Sequence, residues 1–144
     1  MISKLLIAGA LATTIGLSVA PANAAGVWIQ QFGWDNSAGG VQYGWQNRFG
    51  VYQDGWTNSA LGRQHGNRNT IAIGQRGNWN HVDARQTGNR NAAGVGQFGT
   101  NHTAILTQDG NGNIAAGVQV GDGCSADIVQ AGHGNVAAFV QTCP

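Results

Sequence analysis

Gln75-Arg76-Gly77-Asn78-Trp79-Asn80-His81-Val82-Asp83-Ala84-Arg85-Gln86 is one complete turn of the pattern that decides the fold. Its Gln belongs to a series, Gln31, Gln42, Gln53, Gln64, Gln75, Gln86, Gln97, Gln108, Gln119, Gln130 and Gln141, spaced by eleven residues without insertion or deletion. Two residues after each Gln stands Gly33, Gly44, Gly55, Gly66, Gly77, Gly88, Gly99, Gly110, Gly121 or Gly132, and only the last unit departs, with Cys143. Three residues further come Asn36, Asn47, Asn58, Asn69, Asn80, Asn91, Asn113 and Asn135, with His102 and Cys124 in the two remaining units. The unit is Gln-x-Gly-x-x-Asn followed by five residues. The second of these five is small or apolar in every unit (Ala38, Phe49, Ala60, Ile71 and so on), and so is the fourth (Gly40, Val51, Gly62, Ile73 and so on).

Asn, these two positions and the next Gln fall at alternate residues, the period at which strand side chains share one face. The intervening positions mix Ser, Arg, Thr, Asp, Gly and Tyr with apolar residues, so they face out. An eleven-residue period also suits a right-handed helical coiled coil, but a Gly in every unit costs each helix about 1 kcal/mol relative to Ala. Strand, turn, strand, turn is the better reading. Gly permits positive φ, and Asn tolerates left-handed geometry. Two units, 22 residues, then form one flat rung of two facing strands, and like positions stack about 4.8 Å apart. The predicted fold is all-β, a cross-β solenoid of stacked strand-turn-strand rungs. Gln31, Gln53, Gln75, Gln97, Gln119 and Gln141 form one ladder, and the other five Gln form the second. Asn ladders run beside them, each buried amide donating to one neighbour and accepting from the other. The opposing possibility is a disordered low-complexity tract. Such tracts do not hold one residue in register eleven times.

The first residues read differently. Lys4 precedes an apolar stretch, Leu5 to Ala20, and Pro21-Ala22-Asn23-Ala24 ends in an Ala-x-Ala pattern. Residues 1–24 are expected to be a secretory signal peptide, leaving residues 25–144 as one repeat domain with no segment apolar enough to span a bilayer. That mature chain carries six Arg, six Asp and no Glu or Lys. Formal neutrality argues against nucleic acid as the main partner, because phosphate binding needs a basic surface. It also does little to oppose self-association.

The Gln-x-Gly-x-x-Asn units, with a small residue two places on and Gln again, resemble the repeats of bacterial curlin subunits over about Ala25 to Gln141. The resemblance implies a structural subunit of an extracellular curli-like amyloid fibre, on the cell surface, contributing to biofilm matrix and adhesion. It implies partners too: the chain itself as a homopolymer, a second curlin subunit, and an outer-membrane secretion pore with accessory proteins. The uniform period and the two C-terminal Cys depart from the family pattern, and the resemblance does not separate a major subunit from a nucleating one.

Cys143 lies 22 residues after Gly121, and Cys124 three residues further round that turn, so the pair meets across adjacent turns. Export to an oxidising compartment favours a bridge, with two free thiols at a frayed end as the alternative. His65, His81, His102 and His133 occupy four different offsets and do not converge as metal ligands do. They are expected at exposed positions, although His102 can take an Asn's place in its ladder. Trp34 and Trp56 should stack on one edge and Trp45 lie on the other, as edge packing or as a strip for lateral contact. Asp35, Asp54, Asp83, Asp109, Asp122 and Asp127 have no carboxylate partner at catalytic spacing and suit gatekeepers against premature pairing. No cofactor motif and no nucleophile–base arrangement stands out, so an enzyme is not expected. The competing function is a monomeric secreted solenoid that binds ice or glycan, but the Thr residues form no flat rank of the kind ice binders show.

Overall fold

The computed structural model describes residues 26–144; the expected leader, residues 1–24, lies outside them. Among the described residues eleven strands follow one another without a helix: β1 (Val27–Trp34), β2 (Ser37–Tyr43), β3 (Arg48–Trp56), β4 (Ser59–Asn67), β5 (Thr70–Asn78), β6 (His81–Asn89), β7 (Ala92–Thr100), β8 (Thr103–Asn111), β9 (Ile114–Asp122), β10 (Ser125–His133) and β11 (Val136–Cys143). Odd strands form one parallel sheet in the order β1-β3-β5-β7-β9-β11, and even strands form the other, β2-β4-β6-β8-β10. Every pairing aligns residue i with residue i+22; Gln53 faces Gln75 and Gln64 faces Gln86. The fold is a β-solenoid of 22 residues per rung, as the repeat requires. Eleven strands, two to a rung, make five and a half rungs.

Alternation along each strand puts Asn, the second and fourth residues and Gln inside. In β3 this buries Asn47, Phe49, Val51 and Gln53. The apolar core is a thin file of Ala, Val, Ile and Leu between the sheets, with one Phe, Phe49. A benzyl group in so narrow a space needs compensation, and it comes from glycine. A Cβ at Gly40 or at Gly62 would collide with the Phe49 ring, and one at Gly117 with the Phe139 ring. The variation at the core positions is therefore coupled, large beside absent.

The turns reverse the chain within a few residues. Each repeat Gly has positive φ, 109° at Gly88 and 117° at Gly77. It also lies against the next rung, for a Cβ on Gly88 would run into the carbonyl oxygen of Gly110. The left-handed residue of the turn is not Asn, as the sequence suggested, but the residue before it. Asp35, Gln46, Thr57, Arg68, Trp79, Arg90 and Asn101 all hold φ between 54° and 60°, and Gly112, Gly123 and Gly134 take that place in later units. Asn instead turns its side chain into the bend, where Asn47 Nδ2 donates to the Tyr43 carbonyl.

Candidate functional site

The distinctive chemistry of this molecule is its stacked amides, and the site is read along the solenoid axis. Each Gln donates from Nε2 to Oε1 of the Gln one rung on: Gln31 to Gln53 at 2.7 Å, Gln53 to Gln75 at 2.7 Å, Gln75 to Gln97 at 2.9 Å. The series continues through Gln97 to Gln119 and Gln119 to Gln141. The even file runs Gln42, Gln64, Gln86, Gln108, Gln130 at 2.7–2.9 Å. The second Nε2 proton goes to a backbone carbonyl on the facing strand, Ser59 for Gln75 and Thr70 for Gln86. A primary amide has two donors and a two-lone-pair acceptor, so a mid-stack Gln has both donors used while fully buried.

The Asn residues are arranged differently from the amide-to-amide ladder expected. Asn69 Oδ1 accepts the backbone N–H of Asn91 at 3.0 Å, and Asn69 Nδ2 donates to the carbonyl of Gly88 at 2.8 Å. The same pair of bonds recurs at Asn47, Asn91 and Asn113. An amide-to-amide contact in this file occurs between Asn58 Nδ2 and Asn36 Oδ1, at 3.1 Å. The short side chain cannot reach its counterpart easily across a rung, whereas the bend brings backbone groups to it. Asn therefore ties turn to turn, and Gln ties strand to strand.

Two substitutions in the Asn file keep this logic. His102 is fully buried in the Asn file, the second of the two placements expected for it, whereas His65, His81 and His133 are exposed. Its Nδ1 accepts the Cys124 N–H at 3.1 Å and its Nε2 lies 3.2 Å from the Phe98 carbonyl. With the proton on Nε2, the ring supplies one acceptor and one donor, as Asn does. Cys124 and Cys143 are joined by a disulfide with Cα atoms 5.6 Å apart and a separation of 19 residues. That separation is the Asn-to-Gly hydrogen bond of the other units, Asn69 to Gly88 or Asn113 to Gly132. The last rung makes the same tie covalently.

A further file escaped the sequence reading. Asn67, Asn89 and Asn111 follow the turn Gly on one edge, where Asn89 N–H donates to Asn111 Oδ1 at 2.8 Å and Asn67 N–H to Asn89 Oδ1 at 3.0 Å. Their recurrence every 22 residues, rather than every eleven, was the signal. On the same edge lie Trp45 and the left-handed Gln46, Arg68 and Arg90. Trp34 and Trp56 pair in register on the opposite edge, both exposed. Asp54 and Asp83 face arginines, Arg76 and Arg63, each at 3.5 Å and partly exposed, so these ion pairs contribute little.

The files have a direction. Gln31 and Gln42 begin them with Oε1, and Gln42 Oε1 is buried and without a partner among the described residues. Gln130 and Gln141 end them with Nε2, bonded to the Ile114 and Ser125 carbonyls and with no Gln beyond. The Asn side chains reach toward the later rung with both groups, Oδ1 accepting the next Asn N–H and Nδ2 donating to the next turn's Gly carbonyl. Each end thus presents acceptors where the other presents donors.

Among the described residues no helix is long and apolar enough to cross a membrane. Neither the curated proteins nor the solved structures contain a significant match to the chain. The family model described as Curlin associated repeat matches residues 66–99 and again residues 77–110, two windows offset by one eleven-residue unit. The matched windows span residues 66–110, and rungs of the same geometry continue along the described chain, so the chain is similar to curlin repeat proteins, a likeness that supports a structural subunit of the curli type.

Proposed function

We propose that residues 25–144 are the mature subunit of an extracellular curli-like fibre that grows by stacking copies of itself, serving biofilm matrix and surface adhesion. A secretion pore, accessory proteins and a second curlin subunit are the expected partners. The observation that carries this reading is the polarity of the amide files. β1 and β2 at one end, and β10 and β11 at the other, have a neighbour on one side only. An open strand edge is a template for another chain. Here the edges are also complementary in their side-chain donors and acceptors, head to tail but not head to head. The buried, unpartnered Gln42 Oε1 is a group whose desolvation a further Gln Nε2 would offset.

The strand count adds a geometric condition. The odd sheet has six strands and the even sheet five, so the two sheets end half a rung apart. A second copy in the same orientation leaves a vacant strand position beside its first strand. A copy turned by half a revolution about the axis does not, because its β1 continues the even sheet on β10 and its β2 continues the odd sheet on β11. The eleven-residue repeat makes the two sheets equivalent in their Gln and Gly positions, so the ladders pass through the joint. Five and a half rungs at about 4.8 Å give a rise of about 26 Å per subunit. Purified mature chain should form fibres with cross-β diffraction at about 4.8 Å and this rise in cryo-electron microscopy. A chain that stays monomeric with the disulfide closed, at concentrations where the rungs are folded, would sink the proposal and favour a monomeric binding module.

A further inference from the structure

The arginines are not spread along the solenoid. Arg68 and Arg90 sit one rung apart on the edge that carries Trp45 and the Asn67–Asn89–Asn111 file, and together these line a trough of about 690 Å³. Arg48 opens the strand that leaves this edge, and Arg63 and Arg85 are register partners on the even sheet. The ion pairs among the described residues are Arg63–Asp83 and Arg76–Asp54, and neither involves Arg68 or Arg90. The two arginines thus stem from backbones one rung, about 4.8 Å, apart, and no carboxylate lines the trough.

The turn geometry places these side chains in one file. Gln46, Arg68 and Arg90 have φ of 58°, 59° and 58°, while the same column continues with Gly112 and Gly134 at 67° and 68°. Glycine relieves the left-handed conformation at no steric cost, and this column uses it from Gly112 on, one rung after Arg90. The opposite edge holds the same conformation at Asp35, Thr57, Trp79 and Asn101, so what sets this column apart is its side chains, an amide and two guanidiniums in file. The Arg68 guanidinium is further aimed along the trough by its Nε–H, which donates to Gln46 Oε1 at 3.0 Å. That leaves the terminal fork free for bidentate contact with a carboxylate.

We infer that this trough binds a linear acidic polysaccharide lying along the solenoid axis, with its carboxylates on Arg68 and Arg90. A polyuronate carries a carboxylate on every sugar, a density of negative charge that two guanidiniums without ion-pair partners can meet. The Asn side chains offer amide contacts to hydroxyls, and Trp45, 62% exposed, supplies an aromatic face at the first rung. The trough carries two arginines, a sparse charge beside the phosphates that a duplex presents. Single-stranded nucleic acid needs a series of stacking aromatics, and the trough has one. In a half-turn fibre it would recur on alternate edges. It lies within one chain, however, so the inference is tested below the concentration at which fibres form, and its failure is distinct from that of polymerisation.

Mature full-length chain should bind polygalacturonate and not a neutral glucan, with affinity falling as salt is raised. Arg68→Gln with Arg90→Gln should weaken binding at least tenfold while leaving the far-ultraviolet spectrum unchanged, since Gln46 already occupies this backbone. Arg68→Lys with Arg90→Lys keeps the charges without the forks and should fall between. It stands in as the decisive variant if the Gln pair does not fold. Undiminished binding by the folded Gln pair, no binding by the unaltered chain, or tighter binding of single- or double-stranded DNA at equal charge would each overturn the inference.

Discussion

Gln75 sits in the middle of the odd file, and truncating it tests whether the amides hold the stack. Its side chain accepts from Gln53 Nε2 at 2.7 Å and donates to Gln97 Oε1 at 2.9 Å and to the Ser59 carbonyl at 3.0 Å, all within the interior. Gln75→Ala leaves one proton of Gln53 and the Oε1 of Gln97 without partners, both in fully buried side chains. Each such group costs about 1–3 kcal/mol, so the pair costs about 2–6 kcal/mol before any cavity is counted. Against a typical domain stability of about 5–15 kcal/mol that is a large fraction. Two comparisons calibrate it. Gln141→Ala strands a single proton of Gln119 at the last rung and should cost about 1 kcal/mol. Gln46→Ala, exposed and bonded to Arg68 Nε, should stay within about 0.5 kcal/mol. Denaturant unfolding of the disulfide-closed chain, followed by circular dichroism, reads all three. Equal midpoints for the Gln75 and Gln46 variants, or a larger loss at Gln141 than at Gln75, would refute the ladder as the source of stability.

Three further outcomes follow from the turns and the last rung. Gly88→Ala should cost about 2 kcal/mol or more, from the left-handed φ and the Gly110 carbonyl in its path. Gly74→Ala, with nothing within 4 Å of the added carbon, should stay within about 0.5 kcal/mol, and the two unfolding curves test the contrast. Cys143→Ser removes a bridge closing a loop of about 20 residues, worth roughly 3 kcal/mol in the chain-entropy account. Because each rung touches only its neighbours, hydrogen exchange should rise in β11 and β10 and not at Gln75. Arg90→Gly should raise stability by up to about 1 kcal/mol by copying the relaxed Gly112 turn, while weakening polygalacturonate binding; an unchanged or lower midpoint would contradict the strain argument, and undiminished binding the role of the trough.

The period of eleven made rungs, facing strands and Gln files legible, because Gln reaches a full rung spacing and any register slip would turn it outward. What was not legible depended on reach or on the 22-residue period. Asn and Gln carry the same amide, and only the bend decides that the shorter one meets backbone instead of its counterpart. For His102 residue type suggested an outward place and repeat position a place in the Asn ladder, and the repeat position governs its burial. The left-handed residue was assigned to Asn69 on propensity, while the structure gives it to Arg68, a residue that propensity disfavours there. Local preference lost to the geometry that places every Asn side chain over the next turn. Phe49 and its flanking Gly40 and Gly62 looked like independent variation until the facing sheets brought them together.

The joint between subunits should be controllable by counting units. Deleting residues 92–102 removes β7 and the His102 turn, with no charged residue among them. Ten strands remain, five to each sheet, and every later unit moves to the opposite sheet. The repeat tolerates this because Gln, turn Gly and Asn recur identically in both sheets; Cys124 would then lie over Asn91, whose Oδ1 can accept its N–H as His102 Nδ1 does now. Phe49 keeps Gly40 and Gly62, and Phe139 keeps Gly117. Both sheets now end at one level, so a head-to-tail copy stacks without the half-turn. The rise falls from about 26 Å to about 24 Å. Deleting residues 92–113, two units, restores an odd count and the half-turn. Helical reconstruction of the three fibres separates rotation from rise, apart from the gradual twist of the sheets. If ten-unit fibres keep the half-turn, or the eleven-unit fibre lacks it, the joint is not made by continuing both sheets, and growth must use lateral contacts instead of the open strand edges.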